Sequence, residues 1–169
     1  MQISKDGDIV SDSRISWTKD VAKFIPVNKK GRLEDVGYMY FHNIVQDNQG
    51  RFYAIAEQYR RAVSAGGVAL NALAAASGSS GGANNTKLVT EDLMIYEFSP
   101  EFELEGVEIF DKHKSNVHLP ISVDYISIQK LGYFMDYYDG FDYTFTQTNK
   151  DNSMFAAGFT DYELSLIHI

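Results

Sequence analysis

Three carboxylates at regular spacing, Asp136, Asp139 and Asp142, surround Gly140 and are interleaved with Tyr133, Tyr137, Tyr138 and Tyr143. Carboxylates gathered across a turn can share Ca²⁺, which takes six to eight oxygen ligands. The same set can hold a sugar, with rings stacking and carboxylates bonding hydroxyls or doing acid/base work at a glycosidic bond. Against both readings stands a plain solvated acidic hairpin in an acidic chain. The binding candidates are therefore Asp136, Asp139, Asp142, Tyr137 and Tyr138. No residue is assigned a catalytic role, and neither a metal nor a cofactor is implied.

Other groups carry less. Gly78-Ser79-Ser80-Gly81-Gly82 fits the Gly-x-Ser-x-Gly pattern. That pattern works where a strand lifts the serine on a sharp turn into a helix, and here it sits in a Ser/Gly/Asn stretch. His113 and His118 could join Asp111 on a divalent metal, but their five-residue spacing does not put both rings on one side. His42, beside Asn43 inside an apolar run, reads as a partly buried histidine with a backbone partner. Glu91-Asp92 reads as a strand entrance, and Trp17, the single tryptophan, as a packing residue.

Composition narrows the partners. The 169 residues carry a net charge of −8, 44% hydrophobic and 22% charged residues, an ordinary globular mixture. Nucleic acids and anionic membranes select basic patches, and Arg60-Arg61 is too short to be one. Cysteine is absent, so this chain has no disulfide, thiolate site or cysteine nucleophile. Eleven tyrosines and eleven phenylalanines favour strands. The Ala-rich stretch from Ala62 is too short and too interrupted to span a membrane. Met1 to Val10 hold Lys5, Asp6 and Asp8 and no apolar core of a secretion signal.

The elements that must position these groups are mostly strands. Turns are expected at Asp6-Gly7, Asp12-Ser13 and Lys29-Gly31, with Ile15 and Trp17 alternating against Ser16. Tyr38 to Gln46 and Arg51 to Tyr59 read as strands joined by Asp47-Asn48-Gln49-Gly50. In that turn Asp bonds its own backbone and Gly supplies positive φ. The second of these strands is apolar on both faces, hence central. Residues 62–86 read as an insertion, a short helix around Val68 to Ala76 followed by a flexible Ser77 to Asn85 loop. Lys87 to Phe98 and Glu103 to Phe110 continue as strands. A strand pair is expected at Ile121 to Gln129 and Tyr133 to Tyr138, then a hairpin signal at Asp139-Gly140. Asp142 to Thr148 and Met154 to Phe159 follow.

Gln46 to Ala56 and Gln147 to Gly158 share a plan, a polar turn leading into an aromatic-plus-alanine strand. Four antiparallel strands and a restart is the plan of a propeller blade. The fold expected is thus all-β, antiparallel four-stranded repeats in a partial β-propeller-like domain, with a β-sandwich as the alternative. A nearly complete repeat covers about 38–111 and the next starts near 121. His42 to Glu57, with Asp47 and Gly50 in its turn, resembles the strand–turn–strand of bacterial propeller-like repeat proteins. Asp92 to Phe98 through Phe110 resembles their outer strands, and Ile15-Ser16-Trp17 the close of a preceding blade. The chain to Glu163 is also similar to bacterial proteins grouped as a family of unknown function, which brings no catalytic residues.

The closing Leu164-Ser165-Leu166-Ile167-His168-Ile169 resembles translated sequencing-adapter sequence. Residues 1–163 are then expected to be a fragment of a larger β-repeat protein. Two functions remain open. One is a non-catalytic binding or scaffold domain of a bacterial envelope or secreted protein, periplasmic, outer-membrane-associated or secreted, with protein or glycan as partner and Ala62–Thr86 as contact element. The other is a polysaccharide hydrolase or lyase using Asp136, Asp139 or Asp142.

Overall fold

A computed structural model describes residues 2–3, 5–11, 14–26 and 37–161. The expected turns at Asp12-Ser13 and Lys29-Gly31 and the terminal hexapeptide lie outside them. Strands β1 (Gln2–Ile3) and β2 (Ile9–Ser11) pair antiparallel across a turn in which Gly7 takes φ 90°. A single 3₁₀ turn, Val21–Lys23, follows.

The principal sheet runs β3 (Tyr38–Gln46), β4 (Phe52–Val63), β5 (Thr86–Phe98), β6 (Leu104–Phe110), each antiparallel to the next. A short strand β7 (Ser115–Val117) returns to β5. β6 pairs with Leu93–Phe98 of β5 and β7 with Leu88–Thr90, so the two lie end to end along the same flank. The turn into β4 has its anticipated chemistry. Asp47 Oδ1 accepts the N–H groups of Gln49 and Arg51, and Gly50 takes φ 85°.

β4 and β5 are central and covered on both faces. Ala54, Ala56, Met94 and Tyr96 face one way, against Val21, Ile25 and Trp17 of the N-terminal segment. Trp17 meets Tyr96 edge-on at 6.2 Å. On the other face Ile55 and Leu93 lie under the hairpin β8 (Tyr143–Thr148) and β9 (Phe155–Phe159). Beside that hairpin, Tyr59 and Leu88 lie under helix α2 (Ile128–Tyr137).

Several expectations are corrected. The strand pair at 121–138 is instead a loop and α2. Ser127 caps α2 by accepting the Lys130 N–H, and Leu131 and Met135, four apart, bury one stripe. Aromatic content favours strand, but the i, i+4 contact with the sheet decides for helix. Asp139-Gly140 is the end of that helix, with the Gly140 N–H bonded to Met135 O at 2.7 Å. Ile15 to Trp17 is not a strand, because Asp20 Oδ2 accepts the Ser16 N–H and starts a turn. The chain is mostly β with antiparallel sheets, and no closed barrel or propeller forms among the described residues. The supposed restart at Gln147 is half of a hairpin laid on the sheet's face, where Tyr143, Phe155 and Phe159 reach Ile55 and Leu93. The two similar turns do meet: the Asn48 N–H donates to Asn152 O at 3.0 Å.

The insertion is an ordered element. Helix α1 (Ala65–Ala76) is capped by Ser64, whose Oγ accepts the Gly67 N–H. The stretch read as flexible is bonded back: the Asn71 amide donates to Ala83 O and to Asn85 Oδ1, and its oxygen accepts the Ala83 N–H.

Candidate functional site

A depression of about 580 Å³ opens between β7 and the turn that leads from α2 into β8. Asn116, His118, Tyr138, Asp139, Asp142 and Tyr143 are among its walls. The helix end shapes it. Asp139 is driven to φ 51° as the chain leaves α2. A Cβ at Gly140 would stand 2.7 Å from Val117 Cγ1, so only glycine lets the turn approach β7 this closely.

Of the five binding candidates, Tyr138, Asp139 and Asp142 come together here. Asp136 and Tyr137 do not. Asp136 turns to Tyr40, whose phenol is pushed up to about 12, first by burial and then by its hydrogen bond to Asp136. Tyr137 is 77% exposed and touches only the edge of Tyr138 among the described rings, at 4.9 Å. Asp136 therefore stands apart from Asp139 and Asp142, which share the groove.

Asp142 also belongs to a second arrangement, beneath the groove. Its Oδ2 accepts the Thr90 hydroxyl at 2.8 Å and a hydrogen bond from Lys112 Nζ. Lys112 Nζ lies 3.2 Å from Glu57 Oε1 and 3.4 Å from Thr90 Oγ1. The side chains of Lys112 and Glu57 are both 0% exposed. Both Glu57 oxygens accept the Asp142 N–H, and Oε2 also accepts the Tyr143 N–H at 2.9 Å. The His42 ring stacks on Tyr143 at 4.4 Å and meets Phe141 edge-on. His42 Nε2 is 3.5 Å from Glu57 Oε2, within ion-pair reach but not aligned as a hydrogen bond.

Irregularity in the sheet makes this cluster possible. The β3–β4 register shifts between Phe41 and Asn43, leaving His42 as the extra residue. The β4–β5 register shifts between Glu57 and Tyr59. At the same level the chain leaves the sheet between Phe110 and Ser115, and Lys112 comes from that gap. Bulges re-aim side chains and gather near functional sites. Here the bulge turns His42, and the gap after β6 brings Lys112, toward Glu57, which keeps the regular inward parity of β4.

Several other charged groups are tied elsewhere. Arg51 bonds Asp47 and Glu97 at 2.9 and 2.7 Å, and the Tyr53 hydroxyl donates toward the same two carboxylates. Glu91 is no mere strand entrance: it is buried and takes Arg60 at 2.9 Å and Lys114 at 2.8 Å. His113 Nδ1 lies 3.1 Å from Asp161, while His118 lines the groove, so the two imidazoles serve different neighbours. Ser79 Oγ bonds Ala74 O at the end of α1, a capping role with no strand before it.

Residue order alone does not gather Glu57, Lys112, Thr90 and His42 into a site. Glu57 did carry a signal: it follows Tyr53 and Ile55 on the same inward parity of a strand, where a carboxylate needs a buried partner. His42 has a carboxylate neighbour, not the backbone partner expected for it. Lys112 carried no signal, since its burial follows from a break in strand pairing.

Fold and site together define a small antiparallel β domain with a polar groove above a buried ionic cluster. The chain belongs to a family of unknown function, DUF6770, whose model matches residues 1–166. No curated protein and no solved structure matches it.

Proposed function

We infer that the domain is a non-catalytic binding module and that its groove receives a polar ligand of glycan type. The observation carrying this reading is the 580 Å³ groove, which combines the Tyr138 ring and the Asp139 carboxylate with Asn116 and His118. Rings give sugars an apolar face, and convergent polar groups fix their hydroxyls. Hydrolysis fits less well. Asp142 is held by Lys112 and Thr90 and Asp136 by Tyr40, so no two of the carboxylates stand free across one substrate. A location at the envelope or outside the cell accords with glycan binding, and the hairpin laid on the sheet suits a sandwich-like scaffold.

The test is calorimetric titration of the protein with soluble neutral and acidic oligosaccharides. Tyr138→Ala and Asp139→Asn are expected to weaken binding at least about tenfold, roughly 1.4 kcal/mol, with unchanged melting. Unchanged affinity in both variants, or no binding across the set, overturns the reading.

A second contact surface is supported by α1, which carries no charged residue and exposes Leu70 and Leu73 side by side, with Val68 on the opposite side. Contiguous exposed apolar surface marks protein contact sites. Replacing residues 65–85 with a two-residue turn separates the roles: glycan binding is retained if the groove alone carries it.

A further inference from the structure

We propose that Lys112 and Asp142 become joined by an intramolecular amide bond, with Glu57 as the catalytic acid/base of its formation. The bond is independent of what occupies the groove.

The geometry has the parts such a reaction needs. An amine and a carboxyl group are in direct contact, Lys112 Nζ on Asp142 Oδ2. A second carboxylate, Glu57 Oε1, stands 3.2 Å from the same nitrogen. Water is kept from the amine and its base: the Lys112 and Glu57 side chains are 0% exposed, while Asp142, at 11%, meets the groove at its edge. Tyr143, His42 and Phe141 wall the spot with rings. Both reactants are immobilised. Asp142 is pinned by its N–H on Glu57 and its Oδ2 on Thr90, and Lys112 donates its own N–H to Asp92 at 3.4 Å. Holding two reacting groups in contact replaces an encounter in solution by a step within one molecule. A buried ion triad alone contributes little to stability, because desolvation offsets the attraction. That makes the meeting of two register shifts and the gap after β6 at this spot hard to account for by ion pairing.

The step balances without any co-reactant. One proton passes from the Lys112 ammonium to the Asp142 carboxylate, leaving a neutral amine against a neutral carboxylic acid. The Nζ lone pair attacks Cγ and forms the C–N bond, with the Thr90 hydroxyl donating to the carboxyl oxygen. Glu57 takes the second proton from Nζ and returns it to the departing hydroxyl. The C–O bond breaks, one water leaves, and Glu57 is again a carboxylate. Nothing is oxidised or reduced. The product ties the gap between β6 and β7 to the start of β8.

Mass spectrometry of the denatured full chain tests it. The expected mass is lower than that of the sequence by one water, with proteolysis yielding a branched peptide that contains Lys112 and Asp142. Asp6-Gly7 and Asp139-Gly140 can also lose water by cyclising, so the branched peptide and the variants assign the loss. Lys112→Arg and Glu57→Gln are expected at full sequence mass, and Asp142→Asn at a mass lower by one ammonia. A folded, cooperatively melting wild type of full mass overturns the proposal, as does a water loss that persists in Lys112→Arg. Wild-type water loss in Glu57→Gln overturns the role given to Glu57.

Discussion

The Glu57 carboxylate accepts the Asp142 N–H through both of its oxygens, each at 3.1 Å, although 85 residues separate the two in the chain. The middle of the sheet thereby holds the root of the hairpin that covers it. Lys112 sits against the same carboxylate. Glu57→Ala therefore prevents the amide from forming, leaves the buried Lys112 ammonium with one carboxylate fewer beside it, and orphans two backbone donors. Breaking a buried pair from one side costs about 3–5 kcal/mol. Urea denaturation checks this, and a loss below about 1 kcal/mol contradicts the tie.

Helix α2 is seated as tightly. A Cβ added at Gly132 would lie 2.6 Å from the Tyr59 hydroxyl and 3.0 Å from its ring, and that hydroxyl already donates to Ile128 O. Gly132→Ala is expected to destabilise by about 1–3 kcal/mol through overpacking. Adding Tyr59→Phe removes the nearest atom, so the double variant is expected to recover part of the loss in the same assay.

Two aspartates set opposite acid responses. Asp124 is held below its ordinary 3.8, first by the Thr86 hydroxyl, then by the Asn85 N–H. Its contribution to stability is present above 3.8 and fades as pH falls through the lower folded value. Asp124→Asn should melt below wild type at neutral pH, and the gap should close on acidification. Asp92 is raised above 3.8, chiefly by burial, with Asp111 and Glu91 adding repulsion. Its ionisation opposes folding, so Asp92→Asn should melt above wild type at neutral pH and lose that advantage below 3.8. Melting curves at several pH values read both signs.

Much of the sheet could be read from residue order because local chemistry agrees with the fold there. Asp47 and Gly50 build their turn unaided, and the apolar runs around Ile55 and Met94 leave no alternative to central strands. Ile128 to Tyr137 misled because its aromatics favour strands, while the stripe of Leu131 and Met135 has meaning only against Tyr59 and Leu88. The groove was partly visible, since Tyr138, Asp139 and Asp142 lie within one short turn. The buried cluster was not, because Glu57, Thr90, Lys112 and Asp142 meet only through long-range pairing and its interruptions.

Asn71 tests the insertion. Its amide holds the return of the chain at Ala83 and Asn85. Asn71→Ala removes those bonds, which are partly exposed, at a local cost of about 0.5–1.5 kcal/mol. Hydrogen exchange should quicken across residues 65–85 while the global melting temperature stays within about 2 °C, since α1 contributes little to the core. Unchanged exchange would mean that α1 is held by something other than Asn71.

The row of broken registers also bears on the order in which the molecule assembles. Hairpins β3–β4 and β8–β9 and helix α2 each close over short stretches of chain. His42, Glu57, Thr90, Lys112 and Asp142 must be drawn from remote positions, and the entropy of loop closure falls most heavily on contacts of that kind. The row is then the last part to form, after the hairpin and the helix have each settled on their half of the sheet. Strands β4 and β5 already run through both halves, so a bond between Lys112 and Asp142 made at that last stage would then lock the hairpin and the sheet together.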